Sequence, residues 1–352
     1  MKIIFLISNK PFTGKNFIAV GLGLCLIERK YKIGYIKLLG KLPFKKDNNI
    51  LDEESYYVSQ MLKMSIPFED ICCFVYSYDV QQKILESKNL DLQDRFLQIV
   101  DKQKDKDIIF VVSGDSFFEG HSFGISPLQL VKKIDDSKVL VVQTYNCETF
   151  IDDILAAKEL FKDKFLGAVI NKVDESRYEQ VKNFELYLEK QNIPIFAVIK
   201  KDKLLESISI EKLAEAINGK VVCCEDKIED FVENFLVGAM DPSCAFSYFV
   251  KTPNKAVITG THRTDIQVIA METSTKCIIL TGGGYPEETI IAKAKEKAIP
   301  IIVTHFDTFS AVEKIEKLVG KTILKEKYKT ERAKQIIYEN FKIENFLKLV
   351  NV

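Results

Sequence analysis

The sequence predicts an α/β fold built on a mainly parallel sheet with helices on both faces. A second, smaller α/β unit and a helical C-terminal tail follow it. Three observations lead there. Short apolar runs alternate with amphipathic stretches of helical length. Those runs are almost free of charge, as strands are when helices cover both faces of a sheet. The first run also leads into "SNKPFTGKN", residues 8–16, which has the outline of a phosphate-binding loop at a strand-to-helix turn.

The elements follow in order. Strands are expected at Lys2–Ser8, Ile33–Leu39, Ile108–Ser113, Lys138–Gln143, Leu166–Asn171 and Pro194–Val198. Helices are expected near Lys15–Lys30, Glu53–Met64, Leu90–Lys102, Phe150–Phe161, Ser176–Gln191 and Ile210–Ile217. After KVVCC, the acidic stretch Glu225–Leu236 reads as a helix that opens the second unit. Strands near Lys255–Thr259, Cys277–Thr281 and Pro300–Val303 then alternate with helices near Asp265–Thr273, Glu287–Lys297 and Thr308–Leu318. From Lys325 the chain reads as a charged helical tail with an apolar stripe of Ile336, Ile337, Phe341, Phe346 and Leu347. That stripe suits either self-association or packing onto its own chain. The expected domains are 1–222, 223–322 and the tail 323–352.

Length and composition narrow the function. A chain of 352 residues is long for one core and suggests two domains. Fifty basic and fifty acidic side chains leave no net charge to recruit nucleic acid or an anionic membrane. The longest uncharged apolar stretch, Phe17–Ile27, is too short to span a bilayer, and MKIIFLIS reads as a strand and not as a signal peptide. The eight cysteines (Cys25, Cys72, Cys73, Cys147, Cys223, Cys224, Cys244, Cys277) show no C-x-x-C spacing. Small buried thiols in a reducing cytoplasm explain them better than disulfides or zinc. With only His121, His262 and His305, no His/Cys metal cluster is expected.

The phosphate-loop reading assigns roles to several residues. Thr13 and Gly14 would let the backbone approach phosphate, and Lys15 would neutralise it. Asn16 stands where a hydroxyl usually meets Mg²⁺, and its carbonyl oxygen can serve a hard cation. The opening glycine of the motif is replaced by Ser8. Without a ligand, Lys15 would simply cap a turn.

Other pieces belong to the same sheet edge. Lys37, in "GYIKLLG", lies at the carboxyl end of a strand, where open α/β sheets bind ligands, or else merely exits to solvent. In "IIFVVSGDSFFEG" the strand ends at Ser113-Gly114, so Asp115 or Glu119 are the acids available to Mg²⁺, unless they are plain turn residues. In "GAVINKV", the amide of Asn171 suits a purine edge. The second unit offers "VITGTHRTDIQ" and "IILTGGGYPEE", where Arg263, Asp265, Gly282 and Gly283 could cradle an anion. Turn geometry explains those glycines equally, as does a local salt bridge for Arg263 and Asp265. His305, in "VTHFDTFS", is either a ligand or an ordinary loop histidine.

Together these residues resemble a known two-domain arrangement. The loop ending TGKN, the strands GYIK, VVSGDSFFEG and GAVINKV, and "IPIFAVIKKDKLLESISIEKLAEAINGKVV" resemble the dethiobiotin-synthetase-like branch of P-loop proteins, which includes cobyrinic acid a,c-diamide synthases. "FLVGAMDPSCAFSYF", "KAVITGTHRTDIQVIAMETSTKCIILTGGGYPEE" and "IPIIVTHFDTFSAVEKIEKLVGKT" resemble a DRTGG domain. The same pair forms the N-terminal half of long bacterial phosphate acetyltransferases and also stands alone. The resemblance implies ATP at Thr13, Gly14, Lys15 and Asn171 and a substrate- and phosphate-holding role for Lys37; Asn16 and Asp115 are the candidate Mg²⁺ residues.

The pattern also departs from that family. Asn16 replaces the Mg²⁺ hydroxyl and Ser113 the strand-end glutamate. Lys200 replaces a usual proline, and His262 the first letter of the DRTGG motif. No room remains after Leu318 for a coenzyme A site, so phosphate acetyltransferase activity is not expected.

Three readings follow. The first is a cytoplasmic nucleotide-sensing protein with weakened turnover, reporting through the DRTGG region to a partner enzyme or a second copy. The second is an ATP-dependent carboxylate-activating or amide-forming ligase. The third is a structural module that binds nothing.

Overall fold

A computed structural model of the chain describes residues 1–47, 49–76, 92–145, 149–316, 318 and 327–352. The chain divides into two compact units, Met1–Asp202 with Thr322–Val352, and Lys203–Lys321.

The first unit holds a seven-stranded sheet in the order β5-β2-β6-β1-β7-β8-β9. Its strands are β1 (Lys2–Ile7), β2 (Ile33–Gly40), β5 (Cys72–Val75), β6 (Ile108–Val112), β7 (Ser137–Thr144), β8 (Phe165–Val173) and β9 (Ile195–Lys200). Every pairing is parallel. All carboxyl ends therefore meet along one edge, the edge where such sheets bind ligands. Register fixes what meets there, because Leu6 pairs with Val112 and Val112 pairs with Lys37. The sheet residues Ile3–Ile7 are buried throughout, as expected for strands covered on both faces.

Three elements escaped the periodicity. The hairpin of β3 (Pro43–Lys46) and β4 (Asn49–Asp52) is half polar, and β5 is only four residues long. Such short runs give too few residues to establish a period. The expected helix start at Leu90 lies outside the described residues; the described helix is Leu92–Asp101.

The C-terminal helices Lys327–Asn340 and Ile343–Val350 complete the first unit. The expected starts of the tail, at 323 and Lys325, lie outside the described residues. The apolar stripe turns inward: Ile336, Ile337, Phe341, Phe346 and Leu347 are all buried on their own chain. Phe341 stacks on Phe196 with ring centroids 5.6 Å apart. Helix Lys327–Asn340 lies against helix Lys15–Glu28 so closely that a Cβ on Gly21 would stand 2.9 Å from the Ala333 carbonyl oxygen. Only glycine permits that approach.

The second unit is a five-stranded sheet in the order β11-β16-β15-β14-β13. Its strands are β11 (Lys220–Cys223), β13 (Asn234–Val237), β14 (Lys255–Gly260), β15 (Thr275–Thr281) and β16 (Ile301–Val303), parallel except for β11. A small pair joins β10 (Ile208–Ser209) to β12 (Phe231–Val232). The expected helix over Glu225–Leu236 is not formed. Glu225–Lys227 makes one 3-10 turn and the rest supplies β12 and β13. Phe231, Val232 and Phe235 favour strands, and parallel pairing to β14 outweighs the acidic residues' helix preference.

Residues 203–222, read in the sequence with the first domain, pack here. Ile210, Leu213 and Ile217 share a core with Ile258, Ile279 and Ile302. The described cysteines are free thiols, five of them buried, while Cys147 lies outside the described residues. Among the described residues, no helix is long and apolar enough to cross a membrane.

Candidate functional site

The loop between β1 and helix Lys15–Glu28 sits at the carboxyl edge of the central strand. Gly14 enters the helix at φ 94°, a left-handed value that a side chain resists. Phe12 is also left-handed, at φ 55°. From β8, the Asn171 Nδ2 donates to the Thr13 carbonyl at 2.9 Å. Asn171 is buried, and a Cβ on Gly14 would fall 2.3 Å from that same nitrogen. The asparagine's amide group is thus directed at the loop backbone.

Lys15 is buried, and its Nζ donates to the Ser8 hydroxyl at 2.5 Å. Burial lowers its pKa to about 8, and the carboxylates of Asp115, Glu54 and Glu119 oppose that fall. Thr13 is also fully buried, and its hydroxyl oxygen has no hydrogen-bond partner.

Asn16 is held by two neighbours. Its Oδ1 accepts the Tyr35 hydroxyl at 2.9 Å, and its Nδ2 donates to Glu54 at 3.2 Å. Tyr35 and Lys37 stand two apart on β2 and so share a face. Lys37 is buried, donating to Asp52 at 2.9 Å and to Glu54. Burial would lower its pKa, but Glu54 and Asp52 outweigh that and hold it above the usual lysine value. Asp52 also caps helix Glu53–Met61 through the Ser55 N–H at 2.9 Å.

The acids after β6 are engaged as well. Lys41 pairs with Asp115 and with Glu119, both at 2.6 Å. The hydroxyl of Ser113 donates to the Gly114 carbonyl at 3.1 Å. Lys200 pairs with Glu175 at 2.7 Å, and its ammonium lies 4.4 Å from the Tyr178 ring centre. The structure therefore gathers Lys15, Asn16 and Lys37 around Glu54, with Asp115 and Glu119 close enough to act on the charge of Lys15.

In the second unit, the loops after β14, β15 and β16 are stitched together. Thr261 Oγ1 donates to the Thr281 carbonyl at 3.1 Å, and the N–H groups of Gly282 and Gly283 go to Phe306 and Thr304. Arg263 pairs with Asp265 at 3.1 Å and donates to the Met240 carbonyl at 2.8 Å. His262 and His305 are exposed, and His305 borders the left-handed Gly283.

An AAA domain model, AAA_26, matches residues 2–209. The chain belongs to this AAA domain family. A DRTGG domain model matches residues 212–318. The AAA region is similar to the ATP-dependent dethiobiotin synthetase BioD of Clostridium kluyveri, at 24% identity over 231 residues, 60% of this chain and 91% of that protein. Two solved structures overlap parts of the chain. The CBS and DRTGG domains of the regulatory region of Clostridium perfringens pyrophosphatase, complexed with the activator diadenosine tetraphosphate, give a TM-score of 0.31 at 19% identity, covering 46% of this chain and 78% of that one. The MinD cell division protein of Aquifex aeolicus gives 0.35 at 15% identity, covering 58% and 84%.

Several residues packed around this candidate site carry little signal in the sequence. Glu54 and Asp52 open a helix in "LDEES", where acids serve as caps, so their role beside Lys37 was hidden. Lys41 and Tyr35 carried one available signal, their nearness to Lys37 at the end of β2.

Proposed function

We propose that the AAA domain of this chain binds a nucleoside triphosphate of the ATP type and holds it more readily than it turns it over, as a nucleotide-sensing protein. One observation carries the reading. Gly14 is left-handed and Lys15 starts the helix, as a phosphate loop would require, while residue 16 is tied to Tyr35 and Glu54. Loop N–H groups and the helix dipole favour phosphate at that point. Lys15 would leave Ser8 to meet the terminal phosphates.

Mg²⁺ fits as an ion carried by the nucleotide. Among the described residues no group of three His, Cys, Asp or Glu side chains could hold a metal. Phosphate-borne Mg²⁺ needs just one or two protein oxygens. Asn16, Glu54 and Asp115 are the candidates, each of which would give up a present partner, Tyr35, Lys37 and Lys41 respectively. Such an ion would offset the charge of the phosphates.

The similarity to dethiobiotin synthetase favours a second reading, an ATP-dependent carboxylate-activating ligase. Lys37 would then stabilise the transferring phosphoryl group together with Lys15. The DRTGG region would report nucleotide occupancy to a partner enzyme or a second copy. Calorimetric titration with ATP, ADP and GTP, with and without Mg²⁺, combined with phosphate release, separates these readings. Binding without release supports sensing, release on adding a carboxylic acid supports the ligase, and no binding refutes both.

A further inference from the structure

The first half of the phosphate loop is held by a residue that none of the roles above includes. Asp153 lies in the first turn of helix Phe150–Phe161, which follows β7. One oxygen of its carboxylate accepts the Asn9 Nδ2 at 3.0 Å. The other accepts the Gln143 Nε2 at 2.6 Å and lies 3.5 Å from the Lys10 ammonium. Gln143 is fully buried in β7, so it fixes the carboxylate from beneath. Asn9 in turn accepts the Ser116 hydroxyl at 3.3 Å, joining the loop after β6 to the same point.

We propose that Asp153 is a positioning residue of the phosphate loop, acting through Asn9 and Lys10. A loop that must aim several N–H groups at one anion loses affinity if each residue remains free to move, because ordering it then accompanies every binding event. Asn171 fixes the loop exit through the Thr13 carbonyl. Asp153 fixes its entry, and Gln143 sets the angle of Asp153.

The inference rests on the reading of this loop as a phosphate site, and the sign of the effect separates positioning from electrostatics. Removing a carboxylate beside an anion site should strengthen anion binding by Coulomb attraction alone. Positioning predicts the reverse. With ATP and inorganic tripolyphosphate as probes, Asp153→Ala should weaken both by about tenfold or more, the scale of a lost hydrogen bond to a charged group. Asp153→Asn keeps one of the two acceptor oxygens without the charge and should lose less affinity than Asp153→Ala. Asn9→Ala should lose a similar factor, and the Asn9→Ala/Asp153→Ala double variant should lose little more than either alone.

Amide hydrogen exchange over residues 9–14 of the unliganded protein provides a readout that needs no ligand. Asp153→Ala should speed exchange there by roughly tenfold, with helix Lys327–Asn340 unchanged. If parent and Asp153→Ala exchange alike, the positioning role is wrong, whatever the loop binds. If exchange rises but the parent binds neither probe, the phosphate reading fails and the positioning role stands. Tighter binding by both Asp153 variants would assign the residue a purely electrostatic effect and overturn the proposal.

Discussion

The ammonium of Lys15 rests on the hydroxyl of Ser8, 2.5 Å away, within one loop. Ser8 supplies an internal acceptor for the cation that would meet phosphate. Binding must break this contact and replace it. Ser8→Gly and Ser8→Ala should therefore bind ATP more tightly than the parent, by about threefold to tenfold, the value of one net hydrogen bond. Weaker binding by Ser8→Ala in titration calorimetry would mean that the hydroxyl serves the ligand directly.

Proton linkage follows from the burial of Lys15. Its folded pKa is lowered to about 8, below the unfolded value, so burial penalises the charged form and folding gains stability as pH rises through that value. Phosphate affinity moves the opposite way, since only the ammonium attracts the anion. ATP affinity should fall above pH 8, by up to about tenfold per pH unit, and Lys15→Arg should flatten the dependence. A flat profile in the parent would remove Lys15 from phosphate contact.

Restoring a hydroxyl at position 16 tests the account of turnover. Asn16→Thr frees Glu54 and Tyr35 from the amide and returns the usual Mg²⁺ ligand. Mg²⁺-dependent phosphate release should rise above the parent's. No rise, together with weaker Mg²⁺-dependent ATP binding, would show that Asn16 already serves the ion.

The buried ions around Lys37 carry a stability prediction. Lys37 is held charged by Glu54 and Asp52, and Asp52 is itself fully buried. Lys37→Met should cost about 3–5 kcal/mol, because it leaves the Asp52 carboxylate without its cation. Denaturant midpoints measure this, and a loss below about 1 kcal/mol would mean that the pair is screened like a surface one.

Gly14→Ala should fail for two reasons at once. The left-handed φ of 94° and the Asn171 amide, 2.3 Å from the added carbon, both oppose it. Thermal unfolding should register a loss of about 1–3 kcal/mol, and ATP binding should weaken with it. Unchanged unfolding and binding would mean that the turn relaxes freely.

Much of the first sheet was legible because its strands are uniformly apolar. Ile3–Ile7 and Ile108–Val112 need no longer-range information to be recognised. The hairpin β3–β4 was not legible, since its two four-residue strands are half polar and too short to show a period. Glu225–Leu236 misled because acidic residues suggest helix, whereas pairing with β14 decides the outcome. The strand–loop–helix turn at Gly14 and Lys15 could be read because its signal is local. The partners of that loop could not: Glu54 reaches Lys37 and Asn16 from a helix start, and Asp153 reaches Asn9 from beyond β7. Only strand order brings them together.

The most direct test of the central claim is a calorimetric titration of ATP with Mg²⁺ into the parent and Lys15→Ala, with phosphate release followed in the same samples. The account predicts binding by the parent without steady phosphate release, and loss of that binding in Lys15→Ala. Equal binding by the two proteins, or sustained hydrolysis by the parent, would contradict it.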